Sequence, residues 1–245
     1  MLNALKVPRW IYSGGVPVGL TDPDTGLAVP QTNSVADWAA LQAIPKSSVN
    51  DGLCIFVTAY KAWFVYMHAV GRWVTNRAVI YSQVFGTDAA PTCSLGTASL
   101  SASTPFPHGT INIPQYMLNQ NSVIRIMGQI KKHGTTGSLS PNLYLGTTNN
   151  VVSSDPSAWA GSFANTDGHT LDFCPIITFG SKTSYRTSYA NPDNQGSSTN
   201  GGLLEKTSNI NTDALGGMYV NVALPAKSAG DSYDLLFLMV EIVRN

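Results

Sequence analysis

The stretch SVIRIMGQIKK, residues 122–132, decides the fold class of this chain. Isoleucine or glycine occupies positions 124, 126, 128 and 130, while Arg125, Gln129 and Lys131 stand between or beside them. Successive side chains of a β-strand point to opposite faces, so this alternation predicts a strand with one buried face. The period of the stretch is that of a β-sheet.

The same alternation recurs towards the C-terminus. Residues 142–146 (NLYLG) and 218–224 (MYVNVAL) alternate in this way, and Pro225 ends the second of them. A last apolar stretch covers residues 233–243, and turns rich in Gly, Ser, Thr and Asn separate the segments. Charged residues make up only 11% of the chain, which favours a structural or binding module over an enzyme. These patterns predict an all-β protein with a C-terminal β-sandwich.

The last strand is apolar on both of its predicted faces. Alternation places Leu236 and Leu238 on one face and Phe237 and Met239 on the other. A single sandwich core covers only one face of a strand, so the second face needs another cover. Either a second subunit or the chain's own loops would supply that cover. Under the first alternative, these four residues are the predicted subunit interface.

Residues 1–33 predict an extended N-terminal arm. Prolines and glycines at short intervals prevent a helix and favour an irregular, extended path. The arm has too many apolar side chains for a solvated tail, so we expect it to lie against its own body or, preferably, against a neighbouring molecule. The residues predicted to anchor the arm are Leu5, Val7, Trp10, Ile11 and Tyr12.

Residues 34–85 predict a small α+β module of one helix and a β-meander. A helix over residues 34–43 would be capped by Ser34 and stopped by Pro45. Short apolar segments separated by turn residues then predict strands as far as Val74. The aromatic residues of the module could stack on sugar rings, but so small a module first needs them for its core.

Residues 86–108 are rich in Ala, Ser, Thr and Pro and predict a connector to the larger domain, residues 109–245. Within that domain, residues 181–202 form a polar stretch too long for an ordinary hairpin turn. Such a stretch is either a recognition loop or a plain surface excursion. If the domain binds sugar, exposed aromatic rings should carry the contact, and the candidates are Trp159, Tyr185 and Tyr189.

The sequence contains no recognisable catalytic, cofactor-binding or metal-binding motif. Asp155, Asp167, His169 and Asp172 are close in sequence, but nothing sets the separation that a hydrolase needs, so we predict no enzyme and no cofactor. Lys and Arg number 14, as do Asp and Glu, which argues against an electrostatic grip on nucleic acid. No apolar stretch has the length of a membrane span.

Several segments resemble the jelly-roll domains of virion proteins of tailed bacteriophages. The helix, Pro45 and the meander to Trp73 are similar to small modules of phage fibre and head-appendage proteins. The segments that resemble the jelly-roll domains are residues 113–118 (IPQYML), 122–128 (SVIRIMG), 134–136 (GTT), 143–148 (LYLGTT) and the closing strand.

The resemblance implies a structural protein of a phage particle, located in the virion and assembled in the cytoplasm of the bacterial host. Such proteins are commonly homotrimers that attach through their N-terminal part and display a jelly-roll β-sandwich outward. A capsid decoration or cement protein, a head fibre or a short tail appendage fits the chain length. The implied partners are further copies of the chain and the major capsid protein or another virion protein, with a host surface glycan as an additional candidate.

The alternative function is a receptor- or carbohydrate-binding module of a tail fibre or appendage. β-Sandwiches commonly carry such sites in their loops and on shallow faces. The sequence leaves open the place on the particle, the symmetry of the oligomer and the host.

Overall fold

A computed structural model shows two compact units, residues 1–75 and residues 76–245. It describes residues 9–13, 16–21, 28–29, 34–46, 49, 51–87, 89–137, 139–189, 204–207 and 210–244. Among these, the backbone alone is described for residues 9–13, 16–21, 28–29, 188–189, 204–207 and 244. β-Strands dominate the described residues, so the predicted all-β class is confirmed.

The described residues of the first unit form two sheets and one short α-helix. Strands β1, β2 and β3 form an antiparallel sheet, and β4 to β7 form another, in which β4 runs parallel to β5. The elements are β1 (Arg9–Ser13), β2 (Val16–Thr21), β3 (Ala28–Val29), β4 (Ser34–Val35), α1 (Trp38–Gln42), β5 (Cys54–Val57), a 3-10 helix (Thr58–Tyr60), β6 (Ala62–Met67) and β7 (Arg72–Val74).

The described residues of the predicted arm form paired β-strands, whereas the sequence predicts an irregular, extended path. The backbone of β1 pairs with that of β2, with one irregularity between Ile11 and Tyr12. Gly14 and Gly15 stand between the two strands in the sequence. The described backbone of this segment is therefore an antiparallel strand pair and not an irregular path.

Helix α1 begins later than the sequence pattern predicts. Ser34, the predicted cap, lies in β4 instead. Asp37 is the actual cap, because its Oδ1 accepts a hydrogen bond of 2.9 Å from the N–H of Ala40. An aspartate at this position satisfies a free N–H of the first turn, and its negative charge suits the helix N-terminus.

Aromatic side chains fill the core of the first unit. The ring centroids of Trp38 and Phe64 lie 5.4 Å apart, and those of Tyr66 and Trp73 lie 5.2 Å apart. All four residues are buried. Trp63 is different, because it alternates to the outer face of β6 and is 53% exposed.

The second unit contains two principal sheets. One has the order β11-β21-β13-β17-β18-β19, with β8 also paired to β21 and β16 to β13, and the other has the order β12-β20-β14-β15. The strands are β8 (Ala78–Val84), β9 (Gly86–Thr87), β10 (Ala90–Pro91), β11 (Ser94–Leu95), β12 (Thr104–Ile113), β13 (Val123–His133), β14 (Asn142–Gly146), β15 (Ser157–Ala160), β16 (Thr170–Phe173), β17 (Pro175–Phe179), β18 (Ser184–Tyr189), β19 (Leu204–Thr207), β20 (Met218–Leu224) and β21 (Ser232–Arg244).

The strand order is that of a jelly roll. Strands β8 and β11 act as one interrupted first strand, and β16 and β17 act as one interrupted sixth strand. In the first sheet, the first strand pairs with the last, the last with the third and the third with the sixth. In the second sheet, the second strand pairs with the seventh, the seventh with the fourth and the fourth with the fifth. This double Greek key confirms the predicted jelly-roll β-sandwich, which the β18–β19 hairpin extends.

The sandwich begins earlier in the chain than the sequence predicts. Strand β8 pairs with β21 from Ala78 opposite Ile242 to Val84 opposite Phe237. Residues 76–108, divided in the prediction between the small module and a connector, therefore belong to the same compact unit as the other strands. The Ala/Ser/Thr-rich run of residues 97–103 lies between β11 and β12 and is a connection within this unit.

The two sheets pack face to face around an aliphatic core. On β13, Ile124, Ile126 and Ile130 are fully buried, as their alternation predicts. Burying each side chain of this size stabilises the fold by about 1.5–3 kcal/mol relative to leaving it exposed. The fully buried residues contributed by the second sheet include Leu143, Leu145, Val220, Val222 and Leu224.

A buried ion pair ties together loops at one end of the sandwich. Lys132 Nζ lies 3.2 Å from Asp231 Oδ2 and donates to the carbonyl oxygens of Gly137 and Ala164. Asp231 also accepts hydrogen bonds from the N–H and the hydroxyl of Thr136, at 2.9 and 2.7 Å. Burial alone raises the pKa of Asp231, but the bonds from Thr136 and Lys132 outweigh it and lower the pKa to about 2.

This arrangement predicts a specific response to acid. A carboxylate with a lowered pKa contributes stability that is fully present above the pKa of an unfolded Asp, about 3.9. That stability is lost as the pH falls through about 2. The melting temperature of Asp231→Asn should lie well below that of the wild type at pH 7, and the difference should shrink between pH 4 and pH 2. A difference that stays constant over this range would contradict the role given to the carboxylate.

Gly128 allows an aromatic ring to cross β13. A Cβ built on Gly128 would lie 2.2 Å from Cζ of Phe173, closer than any packed atoms allow. Phe173 is buried and stacks against Trp159, with ring centroids 4.9 Å apart. The ring has no room to retreat, so this position requires glycine for space, not for an unusual backbone angle.

Gly128→Ala should therefore destabilise the protein by about 1–3 kcal/mol through overpacking. Gly96→Ala is the matched control, because a Cβ there meets no atom within 4 Å. Chemical denaturation of both variants measures the difference. Equal stabilities for the two would contradict the packing argument.

Candidate functional site

An opening in the first sheet lies where the edge of β13 opposite β21 lacks a paired strand. Strand β16 pairs with β13 as far as Gly128, and β17 resumes the pairing at Arg125. Cys174 stands between the two strands, and neither it nor Pro175, the first residue of β17, is among the residues paired with β13. Pro175 has no N–H to donate, which favours a break in the ladder at this point.

A cleft of about 300 Å³ opens at this gap, and it is called the outer-sheet cleft below. The volume lies at the lower limit of small-molecule pockets, so the cleft suits one small ring better than an extended chain. Its lining residues are Met127, Gly128, Gln129, Asp172, Phe173, Cys174 and Phe237.

A β-bulge aims Phe237 at the cleft. On β21, Leu235 lies opposite Ile130 and Phe237 lies opposite Gln129, so Leu236 has no partner on β13. Without the extra residue, Phe237 would follow Leu235 into the core. With it, Leu235 is buried while Phe237 is half-buried and lines the outer-sheet cleft. Bulges commonly redirect side chains in this way and occur next to functional sites.

The four residues predicted as a subunit interface do not share a common environment. Leu238 is fully buried in the core, because the bulge places it inward together with Val240. Leu236, Phe237 and Met239 are half-buried. Leu238 is therefore corrected from interface to core, and a role of the other three residues in subunit contact stays a prediction.

Gln129 and Asp172 supply the polar rim of the cleft. The side-chain Nε2 of Gln129 donates a hydrogen bond of 2.7 Å to Oδ1 of Asp172. This bond leaves Oε1 and one N–H of Gln129, and Oδ2 of Asp172, available to a ligand. Among the described residues, no Lys or Arg pairs with Asp172, so the rim keeps a negative charge.

The positive charge beside the cleft is already paired. Glu241 is fully buried, its Oε1 accepts a hydrogen bond of 2.5 Å from Nε of Arg125, and its Oε2 accepts one of 3.2 Å from Nη2 of Arg77. Burial raises the pKa of the Cys174 thiol, Arg125 lowers it and Glu241 raises it, and the net direction is upward. Cys174 therefore stays a neutral, largely apolar part of the cleft wall at neutral pH.

Two of the three residues predicted to contact glycans are buried, and the side chain of the third is outside the described residues. Trp159 and Tyr185 are buried, so neither ring has the exposed face that stacking on a sugar requires. Both fill the space between the sheets instead, which corrects their assignment. The backbone of Tyr189 pairs with Pro175, next to Cys174 of the cleft, and its side chain is outside the described residues.

The predicted particle anchors fall in the least described part of the chain. Leu5 and Val7 lie outside the described residues. The backbones of Trp10, Ile11 and Tyr12 belong to β1, and their side chains are not described. Their role as anchors stays a prediction.

The fold brings together a Ser, an Asp and a His that the sequence does not connect. Asp234 Oδ1 accepts a hydrogen bond of 2.5 Å from the hydroxyl of Ser94, and its Oδ2 lies 2.6 Å from Nε2 of His133. Both partners thus bind the carboxylate, and the bond from the hydroxyl goes to Asp234 and not to the imidazole. Nucleophilic catalysis needs the base next to the nucleophile, so this cluster is arranged to join strands.

The acidic residues that are close in sequence serve separate loops. Among the described residues, no group of three or more His, Cys, Asp or Glu side chains could hold a metal ion. The bonds that occupy them are Val152 N–H to Asp155 Oδ2, Gly134 N–H to Asp167 Oδ1 and Ala164 N–H to His169 Nδ1. Asp172 alone of this group reaches the outer-sheet cleft.

No protein-family model matches this chain, and no curated protein matches it. One solved structure with some similarity is the CBM2 module of Lactobacillus casei BL23 phage J-1 evolved Dit. It is 10% identical, with a TM-score of 0.35, and the similarity covers 69% of this chain and 98% of that chain. A TM-score of this size carries no argument about the fold or function of the chain.

The single α-helix of the described residues is short, and no described helix is long and apolar enough to cross a membrane.

Proposed function

We propose that this chain is a carbohydrate-binding module of a phage virion appendage and that the outer-sheet cleft is its binding site. The observation that carries the proposal is the bulge in β21, which turns Phe237 out of the core beside the polar pair of Gln129 and Asp172. A half-exposed aromatic ring next to hydrogen-bonding side chains is the combination that sugars require. The ring covers their C–H face and the polar groups meet their hydroxyls.

The virion part of the proposal rests on the sequence resemblance to jelly-roll proteins of tailed phages. The jelly-roll strand order of the second unit agrees with that resemblance, but the same fold carries many functions. The site therefore has to carry the functional argument. A binding role, as opposed to a catalytic one, is supported by the separate structural roles of the described Ser, His and Asp residues outside the cleft.

Phe237→Ala should weaken glycan binding by about 10-fold or more while the protein stays folded. Loss of an aromatic contact costs about 0.5–1.5 kcal/mol beyond the buried area, and 1.4 kcal/mol corresponds to a factor of 10. Screening the wild type on a glycan array identifies a ligand, and calorimetry with that ligand measures the change.

Two control variants locate the site. Val84 lies opposite Phe237 on β8, is 68% exposed and does not line the cleft, so Val84→Ala should bind normally. Trp63→Ala removes an exposed aromatic ring of the first unit. Loss of binding in Trp63→Ala, with normal binding in Phe237→Ala, would move the sugar site out of the cleft.

The second candidate function is that of a structural protein, a capsid decoration protein or head fibre that attaches through its N-terminal part as a homotrimer. The observation that favours it is an apolar outer face on the second sheet of the first unit. Phe56 and Trp63 pack edge to face there, with ring centroids 5.3 Å apart, and Met67 is exposed on the same strand as Trp63. Exposed apolar faces of this kind mark protein contact surfaces.

Trp63→Ser should lower the number of copies per particle several-fold without unfolding the chain, because the side chain is exposed. Val70→Ser is the matched control, since Val70 is 52% exposed but lies in a turn beyond β6. Quantitative mass spectrometry of particles produced with each variant measures the occupancy. Equal occupancy of wild type and Trp63→Ser would remove this face from attachment.

A further inference from the structure

We propose that the outer-sheet cleft selects a neutral hexopyranose and rejects acidic sugars and sugar phosphates. This inference rests on the proposed function and specifies the chemistry of its ligand. Three properties of the cleft carry it: its size, the hydrogen-bonding groups that remain free at its rim and a rim carboxylate that makes no ion pair with a described residue.

The size favours a single ring. The cleft measures about 300 Å³ and ends at the backbones of β13 and β16, where Gly128 and Phe173 form part of the wall. Phe237 is the half-buried aromatic residue of the lining, so a sugar ring would lie against it. The glycan chain beyond that ring would extend away from the sheet.

The free polar groups favour hydroxyls. Oε1 of Gln129 and Oδ2 of Asp172 are both acceptors, and one N–H of Gln129 remains as a donor. A hydroxyl both donates and accepts, so adjacent hydroxyls of one ring satisfy all three groups. An ionised carboxylate or phosphate only accepts and would leave two of the three unsatisfied.

The charge excludes anions. Asp172 is exposed and, among the described residues, makes no ion pair. Arg125, whose charge acts on the Cys174 thiol, is bound to Glu241 through a bond from Nε and a close contact from Nη2. Lys131 lies two residues along β13 from Gln129, opposite Thr170, and is not part of the lining. An acidic sugar therefore meets a carboxylate of the same sign and finds no free cation in the lining.

Matched pairs of sugars test this inference. The 245-residue chain is titrated with the methyl glycosides of glucose, galactose and mannose and with the methyl glycosides of the corresponding hexuronic acids. Saturation-transfer NMR and competition against an immobilised glycan measure the binding. Each pair differs only in the group at C6. At least one neutral hexose should bind, and its uronic acid should bind at least 10-fold more weakly.

The variant Asp172→Asn keeps an oxygen that accepts the bond from Gln129 but removes the charge. It should lower the ratio of the affinity for the neutral sugar to the affinity for the acidic sugar at least 3-fold. Asp167→Asn is the control of equal net charge, because Asp167 is exposed, lies outside the cleft and keeps an acceptor for Gly134. The affinity ratio of Asp167→Asn should equal that of the wild type.

A second measurement does not depend on any variant. Raising the salt concentration from 0.05 to 0.5 M shortens the Debye length about 3-fold. This screening should weaken the discrimination of the wild type between neutral and acidic sugars. The loss of selectivity should come from tighter binding of the acidic sugar, since the neutral sugar does not respond to screening.

The outcomes separate this inference from the function on which it rests. Acidic sugars that bind the wild type as well as or better than neutral ones would overturn the inference and leave carbohydrate binding in place. An unchanged ratio in Asp172→Asn would overturn Asp172 as the selecting group. No binding of either sugar class, in the pairs or on an array, would overturn the proposed function together with this inference.

Discussion

The pairing of β13 with β21 is the constraint on which the rest of the sandwich depends. All eleven residues of β13 have a partner on β21, and every other strand of that sheet joins this pair directly or through a neighbour. Strands β8 and β11 add to the free edge of β21, and β16 and β17 add to the free edge of β13. The inner faces of the pair also supply the isoleucines and leucines against which the second sheet packs. Both the core and the cleft therefore depend on one antiparallel ladder.

The parts that could be predicted from the sequence follow from a regular period. Alternation over residues 122–132 identifies β13 and its buried face, and the same signal identifies β14, β20 and β21. Asp37 and Ser34 show where such signals become ambiguous, because both residues are good helix caps and only tertiary packing decides between them. The alternation of apolar and polar residues reports only the local conformation of the chain. The order of strands in the sheets depends on pairing between distant segments, which the alternation does not report.

The outer-sheet cleft could not be predicted because it results from two breaks in periodicity. The bulge at Leu236 reverses the alternation within an apolar run, where no polar residue marks the change of face. The gap in the pairing of β13 lies beside Cys174 and Pro175, which are distant from β13 in the sequence. It therefore arises only when the strands pair. Pro175 is the one local signal, since proline interrupts a ladder. Trp159 and Tyr185 were predicted at the surface because residue type alone does not report burial.

The bulge at Leu236 also makes the number of residues in β21 a determinant of the outer-sheet cleft. Insertion or deletion of one residue between Leu235 and Phe237 would turn the side chains of one half of the strand to the opposite face of the sheet. Phe237 would then enter the core, and the cleft would lose its aromatic ring. A substitution at these positions changes a side chain and keeps the register, whereas a change in the residue count shifts the register. The loops of residues 147–156 and 211–217 lie outside the strands, so an added residue there would leave the register of β21 unchanged.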